Sequence, residues 1–113
     1  MPYITINTAE EISRPRREKI KTELGRLIAL IPLKSEANLL VDFSGGRALY
    51  RAGKEVPGAF IEVRLYGKAP LESKKRLTQE IFDLFAVELG FKKDEMYLNI
   101  LELDTWGTEG VLI

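Results

Sequence analysis

The sequence predicts an α+β fold: two βαβ units forming a four-stranded mixed sheet with two helices on one face. Three observations carry this. Short β-branched runs alternate with two longer stretches whose apolar residues recur at helical spacing. The order strand–helix–strand occurs twice, over residues 2–43 and 59–103, as a repeat of pattern and not of identity. Right-handed crossovers then place both helices on one side of the sheet. The other face is left carrying apolar residues with no helix over it, and association of copies is the natural way to bury them.

The first strand starts almost at the terminus, in Pro2-Tyr3-Ile4-Thr5-Ile6-Asn7, where proline is tolerated because it opens the strand. Residues 8–12 connect to a helix for which Ser13 is the expected N-cap and Pro15 a first-turn residue. Its apolar face is Ile20, Leu24, Leu27, Ile28 and Ile31, and it stops near Pro32. Asn38 to Phe43 reads as the second strand and Ser44-Gly45-Gly46 breaks it. Residues 47–50 form a short strand or a loop, and 53–58 a turn. Ala59 to Tyr66 is a strand ending at Gly67. Pro70 and Glu72 open a helix with Leu77, Ile81, Leu84, Phe85 and Leu89 on one face and Gly90 as its stop. Met96 to Leu103 is the last long strand, followed by a tail around Gly107 and Gly110.

At 113 residues the length fits one domain, 1–113, with a large exposed fraction. Seventeen basic and seventeen acidic residues cancel, which argues against broad electrostatic capture of nucleic acid or a membrane surface. No apolar run approaches the ~20 residues of a membrane span, and the first residues lack the features of a signal peptide. Cysteine is absent, so a cytoplasmic location is expected. Histidine is absent too, which removes Ser-His-Asp and Cys-His catalysis and the usual zinc sites. A base working near neutral pH must then be a shifted carboxylate, Lys or Tyr, or the terminal amine, and only the amine titrates near pH ~8 unperturbed. A small second residue favours removal of Met1, which would leave Pro2 as a secondary amine at the end of a rigid strand.

These features together resemble the tautomerase superfamily and, within it, the macrophage migration inhibitory factor family. The residues carrying the resemblance are Met1-Pro2 leading a strand, Asn7-Thr8 closing it, Lys34 after the first helix, Pro57 with Ala59, Gly67, and Tyr97-Leu98-Asn99. The resemblance implies a cofactor-independent homotrimer with sites between subunits. It implies keto–enol tautomerisation of a small 2-keto acid such as phenylpyruvate. Pro2 would be the catalytic base, Lys34 the cation for the substrate carboxylate, Tyr66 a main-chain donor, and Tyr97 and Asn99 contributions from the adjacent subunit. Burial and a neighbouring Lys34 would both hold the proline amine neutral and able to accept a proton.

The chain departs from the family pattern at several places. Tyr66 replaces a smaller aliphatic residue and Leu65 a frequent serine. The tail keeps Trp106-Gly107 but loses the aromatic residues of the pocket mouth, and the Cys-x-x-Cys motif of the animal cytokines is missing. Two alternatives therefore stand beside the tautomerase: a trimeric binding protein with a vestigial site, and a superfamily hydratase or dehalogenase using Arg64 with Asp42. Other signals carry less. The cluster Arg14, Arg16, Arg17, Lys19 and Lys21 is interleaved with Glu18 and reads as a solvated face. Ser44-Gly45-Gly46 lacks the spacing of a phosphate loop. Glu62, Glu102 and Asp104 fit solvent-facing or interface positions better than a glycosidase pair.

Overall fold

The structure is a computed structural model that describes residues Met1–Ile113. Strand β1 (Pro2–Thr8) pairs in parallel with β2 (Leu40–Ser44) and antiparallel with β5 (Ala59–Tyr66), which pairs in parallel with β6 (Met96–Leu103). The sheet order is therefore β2-β1-β5-β6. Each βαβ unit supplies one parallel pair, and the units join through the antiparallel centre. Alternation explains the layers. Ile4 and Ile6 of β1 and Ile61, Val63 and Leu65 of β5 face the helices and are buried, while Tyr3, Thr5, Glu62 and Arg64 face the other way.

Helix α1 (Arg14–Leu27) continues into a 3-10 turn at Ile28–Leu30 before Pro32 ends it. All five apolar residues of its predicted face are buried. Ser13 stands at the N-cap position, yet its hydroxyl makes no capping bond. Helix α2 (Leu71–Leu89) ends where the sequence places its stop: Gly90 has φ 71° and donates its N–H to Ala86 O. Leu77, Ile81 and Phe85 are fully buried, and burying a side chain of that size contributes about 1.5–3 kcal/mol.

Four expectations are corrected. The second strand starts at Leu40, because Glu36–Asn38 closes a 3-10 turn first. The region 47–58 holds a small hairpin, β3 (Tyr50–Arg51) against β4 (Lys54–Glu55). Its two-residue turn puts Ala52 (φ 53°) and Gly53 (φ 76°) in the left-handed region, the geometry that matches strand twist. The open sheet face is only partly apolar. Leu40, Phe60, Tyr97 and Leu101 are exposed there, but Arg64 Nε donates to Glu62 Oε1 at 2.6 Å between them. Glu102 is an anchor instead of a solvent-facing acid. It accepts from the Ala69 N–H (2.6 Å) and from Lys74 Nζ (2.9 Å), which ties the start of α2 to β6 and holds its carboxyl below the usual range. The tail forms a second hairpin, β7 (Gly107–Thr108) with β8 (Val111–Leu112).

Gly58 sets the approach to β5. Its φ is 116°, and a Cβ there would overlap the carbonyl oxygen of Glu95, just before β6. The Gly58 carbonyl also accepts from Ala9 N–H at 3.1 Å. Gly58→Ala is expected to lower stability by about 2 kcal/mol or more, from left-handed strain and overpacking combined. Gly53→Ala, with positive φ but open space around it, is expected to cost only about 1–2 kcal/mol. Urea unfolding midpoints of the two variants check this, and equal losses would rule out the steric part.

Candidate active site

Three segments converge at the start of β1. The turn after α1 is closed by Lys34 N–H to Ile31 O at 3.1 Å, with Leu33 held at φ 67° and its side chain fully exposed. That left-handed leucine is locally strained, and the turn it makes sends Lys34 back towards the sheet. Lys34 Nζ donates to the Tyr66 carbonyl at 2.8 Å, while the Tyr66 N–H donates to the Met1 carbonyl at 3.2 Å. Pro2 is buried in register with Leu65, one residue from Tyr66. Pro2, Lys34 and Tyr66, widely separated in sequence, are thus brought together.

The electrostatics of this corner are read from the amine it holds. The Met1 amine falls from its ordinary 8.0 to about 6, first because burial disfavours the charged form and then because the Lys34 ammonium lies beside it. The Met1 amine is therefore mostly neutral at pH 7. The same corner shows what Met1 occupies: its carbonyl fills the Tyr66 main-chain donor.

A cleft of about 810 Å³ opens beside the terminus on the uncovered sheet face, lined by Met1, Pro2, Tyr3, Asp42, Arg64 and Trp106 among others. Tyr3 hydroxyl donates to Asp42 Oδ2 at 2.7 Å, and the Arg64 guanidinium stands 5.4 Å over the Tyr3 ring. Trp106 is fixed by paired backbone bonds with Ile113 at the base of the tail hairpin. No local pattern in the sequence points to Tyr3. Its reach to Asp42 is diagonal, because Tyr3 lies opposite Leu40 and Thr5 opposite Asp42, and that register is not written in either strand alone. No group of three or more acidic side chains is placed to hold a metal ion.

Tyr97 and Asn99 lie elsewhere. Tyr97 is beside Phe60 on β5, five residues along from the Leu65 that faces Pro2, a distance of about 17 Å along the strand. Asn99 is beside Glu62. Within one copy neither belongs to the corner around Pro2. The Asn99 amide oxygen is buried with no hydrogen-bond donor, and β6 is an edge strand whose outer side has no strand partner.

With this geometry in place, comparison with known proteins assigns the fold and the family. The structure is similar to that of Leishmania major MIF2, with a TM-score of 0.91 at 18% identity over 100% of this chain and 97% of that one. It is similar to a macrophage migration inhibitory factor-like protein of Entamoeba histolytica, with TM-score 0.84, 18% identity, and 99% and 98% of the chains covered. A member of the cis-3-chloroacrylic acid dehalogenase family matches with TM-score 0.86 and 19% identity over 98% of this chain and 82% of that one. A search of curated protein sequences found no match. The family model for macrophage migration inhibitory factor (MIF) matches residues 1–111. The chain belongs to the macrophage migration inhibitory factor family, within the tautomerase superfamily.

Proposed function

We propose that this protein is a keto–enol tautomerase of phenylpyruvate-like 2-keto acids, and that the amine of Pro2, exposed by removal of Met1, is its acid–base group. The observation that supports this most is the convergence of Pro2, Lys34 and Tyr66 at the start of β1, a corner where burial and Lys34 already lower the amine of the preceding Met1. Removing Met1 does two things at once. It converts the Pro2 nitrogen from an amide into a base, and it frees the Tyr66 N–H that Met1 now occupies. The neutral amine takes a proton from C3 of the keto acid as the C2=C3 bond forms, and the proton is delivered to the C2 oxygen. Lys34 holds the substrate carboxylate, a charge-assisted bond worth roughly 1.5–3 kcal/mol, and so fixes C3 before the amine.

In this reading the working form is a trimer, in which Tyr97 and Asn99 of a neighbouring copy complete the site. The bare edge of β6, the exposed apolar residues of the open face and the orphaned Asn99 oxygen support it. A second reading keeps the scaffold without the chemistry: a copy that retained Met1 would have no Pro2 amine, and its Met1 carbonyl would fill the Tyr66 donor.

Three outcomes follow from the first reading. Pro2→Ala, which keeps a small second residue, is expected to lower kcat/KM for enol–keto conversion by about 10²-fold or more. Intact mass must first establish loss of Met1 in both proteins, and unchanged turnover would remove proline from the mechanism. Lys34→Ala is expected to raise KM for a carboxylate substrate. It should also move the acidic limb of the kcat/KM profile to higher pH: Lys34 lowers the Met1 amine at this corner, and acting in the same way on the Pro2 amine its loss raises that pKa, so the base is lost to protonation sooner as pH falls. An unmoved limb and KM in an active variant would make Lys34 a bystander. Sedimentation equilibrium at micromolar concentration is expected to give three times the chain mass, and a monomer would defeat the shared site.

A further inference from the structure

We infer that Arg51 is a specificity-determining residue of the proposed tautomerase site, selecting 2-oxo acids that carry a second carboxylate at the end bounded by Tyr97. The β3–β4 hairpin leans over the start of β6 and sets the Arg51 guanidinium 6.0 Å from the centre of the Tyr97 ring. One guanidinium nitrogen donates to the Asp94 carbonyl at 2.5 Å, which ties the hairpin to the turn before β6. No carboxylate forms an ion pair with Arg51, a state it shares with eight of the other basic residues, so what distinguishes it is its place beside Tyr97. Its charge is also firmly kept. The Tyr97 hydroxyl, and then the nearby charges of Asp94 and Glu95, favour the protonated form.

The result is an exposed guanidinium tied down by one bond and with unfilled donors, standing at the outer reach of a cation–π contact with the exposed Tyr97. A planar fork of N–H groups matches a carboxylate in two parallel bonds, which a tyrosine or an asparagine cannot offer. Lys34 provides for one carboxylate at the amine, and Arg51 provides for another where Tyr97 enters. Asp94 and Glu95 offset part of the attraction, so the selectivity is moderate. The inference rests on the reading above that Tyr97 of one copy reaches the site of another.

The test uses two acids of equal chain length that differ in one end group, 2-oxoglutarate and 2-oxopentanoate. Catalysed exchange of the C3 protons for deuterium, followed by NMR, gives kcat/KM for each. The wild-type protein is expected to favour the diacid by about tenfold. Arg51→Ala and the isosteric Arg51→Gln should abolish that preference through KM, leaving the monoacid within twofold, and Arg51→Lys should restore part of it. A preference unchanged in Arg51→Ala, or an equal loss on both acids, overturns the proposal. The same two acids are also titrated calorimetrically. Phenylpyruvate is run beside them, and if none of the three acids is turned over the tautomerase reading falls. Arg51 then stands only if the wild-type protein still binds the diacid about tenfold more tightly and Arg51→Gln does not.

Discussion

The antiparallel pairing of β1 with β5 is the constraint on which the rest depends. Its register, Pro2 opposite Leu65 through Thr8 opposite Ala59, fixes the terminus to the centre of the sheet. A chain end is ordinarily among the most mobile parts of a protein. Here it is held by ladder bonds on both sides, since β2 pairs with the other edge of β1. The amine therefore has a defined position and a defined neighbour. Lys34 can perturb it only because the same sheet gives Lys34 a fixed acceptor, the Tyr66 carbonyl, at the end of β5.

Two opposing demands meet at that corner. Burial and a neighbouring ammonium both destabilise a protonated amine, and together they bring the Met1 amine to about 6. In the proposed mechanism the Pro2 amine needs the same depression, because a protonated amine accepts nothing. Yet each further step of depression weakens the base, so a value near ambient pH is the useful compromise. The strained left-handed Leu33 belongs to the same account. Its conformation costs stability, and what it accomplishes locally is the turn that returns Lys34 to the sheet.

The elements with one dominant period were legible in the sequence. Both helices have apolar faces at 3.6-residue spacing, and β5 and β6 begin and end where composition places them. What was not legible depends on partners distant in sequence. Asn38 and Leu39 lead directly into the apolar run of β2, but the 3-10 turn at Glu36–Asn38, with Leu39 as its cap, claims them before β2 can pair with β1. Glu102 looked like a surface acid because its partners, Ala69 N–H and Lys74, lie 33 and 28 residues away. The candidate site divides in the same way. Pro2, Lys34 and Tyr66, singled out through the family resemblance, lie together at the start of β1, whereas the Tyr3–Asp42 bond and the approach of Arg51 to Tyr97 depend on register and hairpin placement that no local pattern encodes.

In the proposed mechanism the two ends of the sheet supply complementary halves of one site. The terminus would offer the Pro2 amine and the Lys34 cation, and the start of β6 has a phenol, an amide oxygen without a donor and a guanidinium with no carboxylate partner. About 17 Å of rigid strand separates Pro2's level from Tyr97, so no side-chain rotation within one copy can join them. Bringing them together requires a second copy laid against the open face or the β6 edge, the same surfaces that leave apolar side chains and backbone groups unsatisfied. In the proposed trimer, association and completion of the site are thus one event. The features that look costly in the isolated chain, exposed Leu40 and Phe60, the orphaned Asn99 oxygen and the bare strand edge, are the features that association would satisfy.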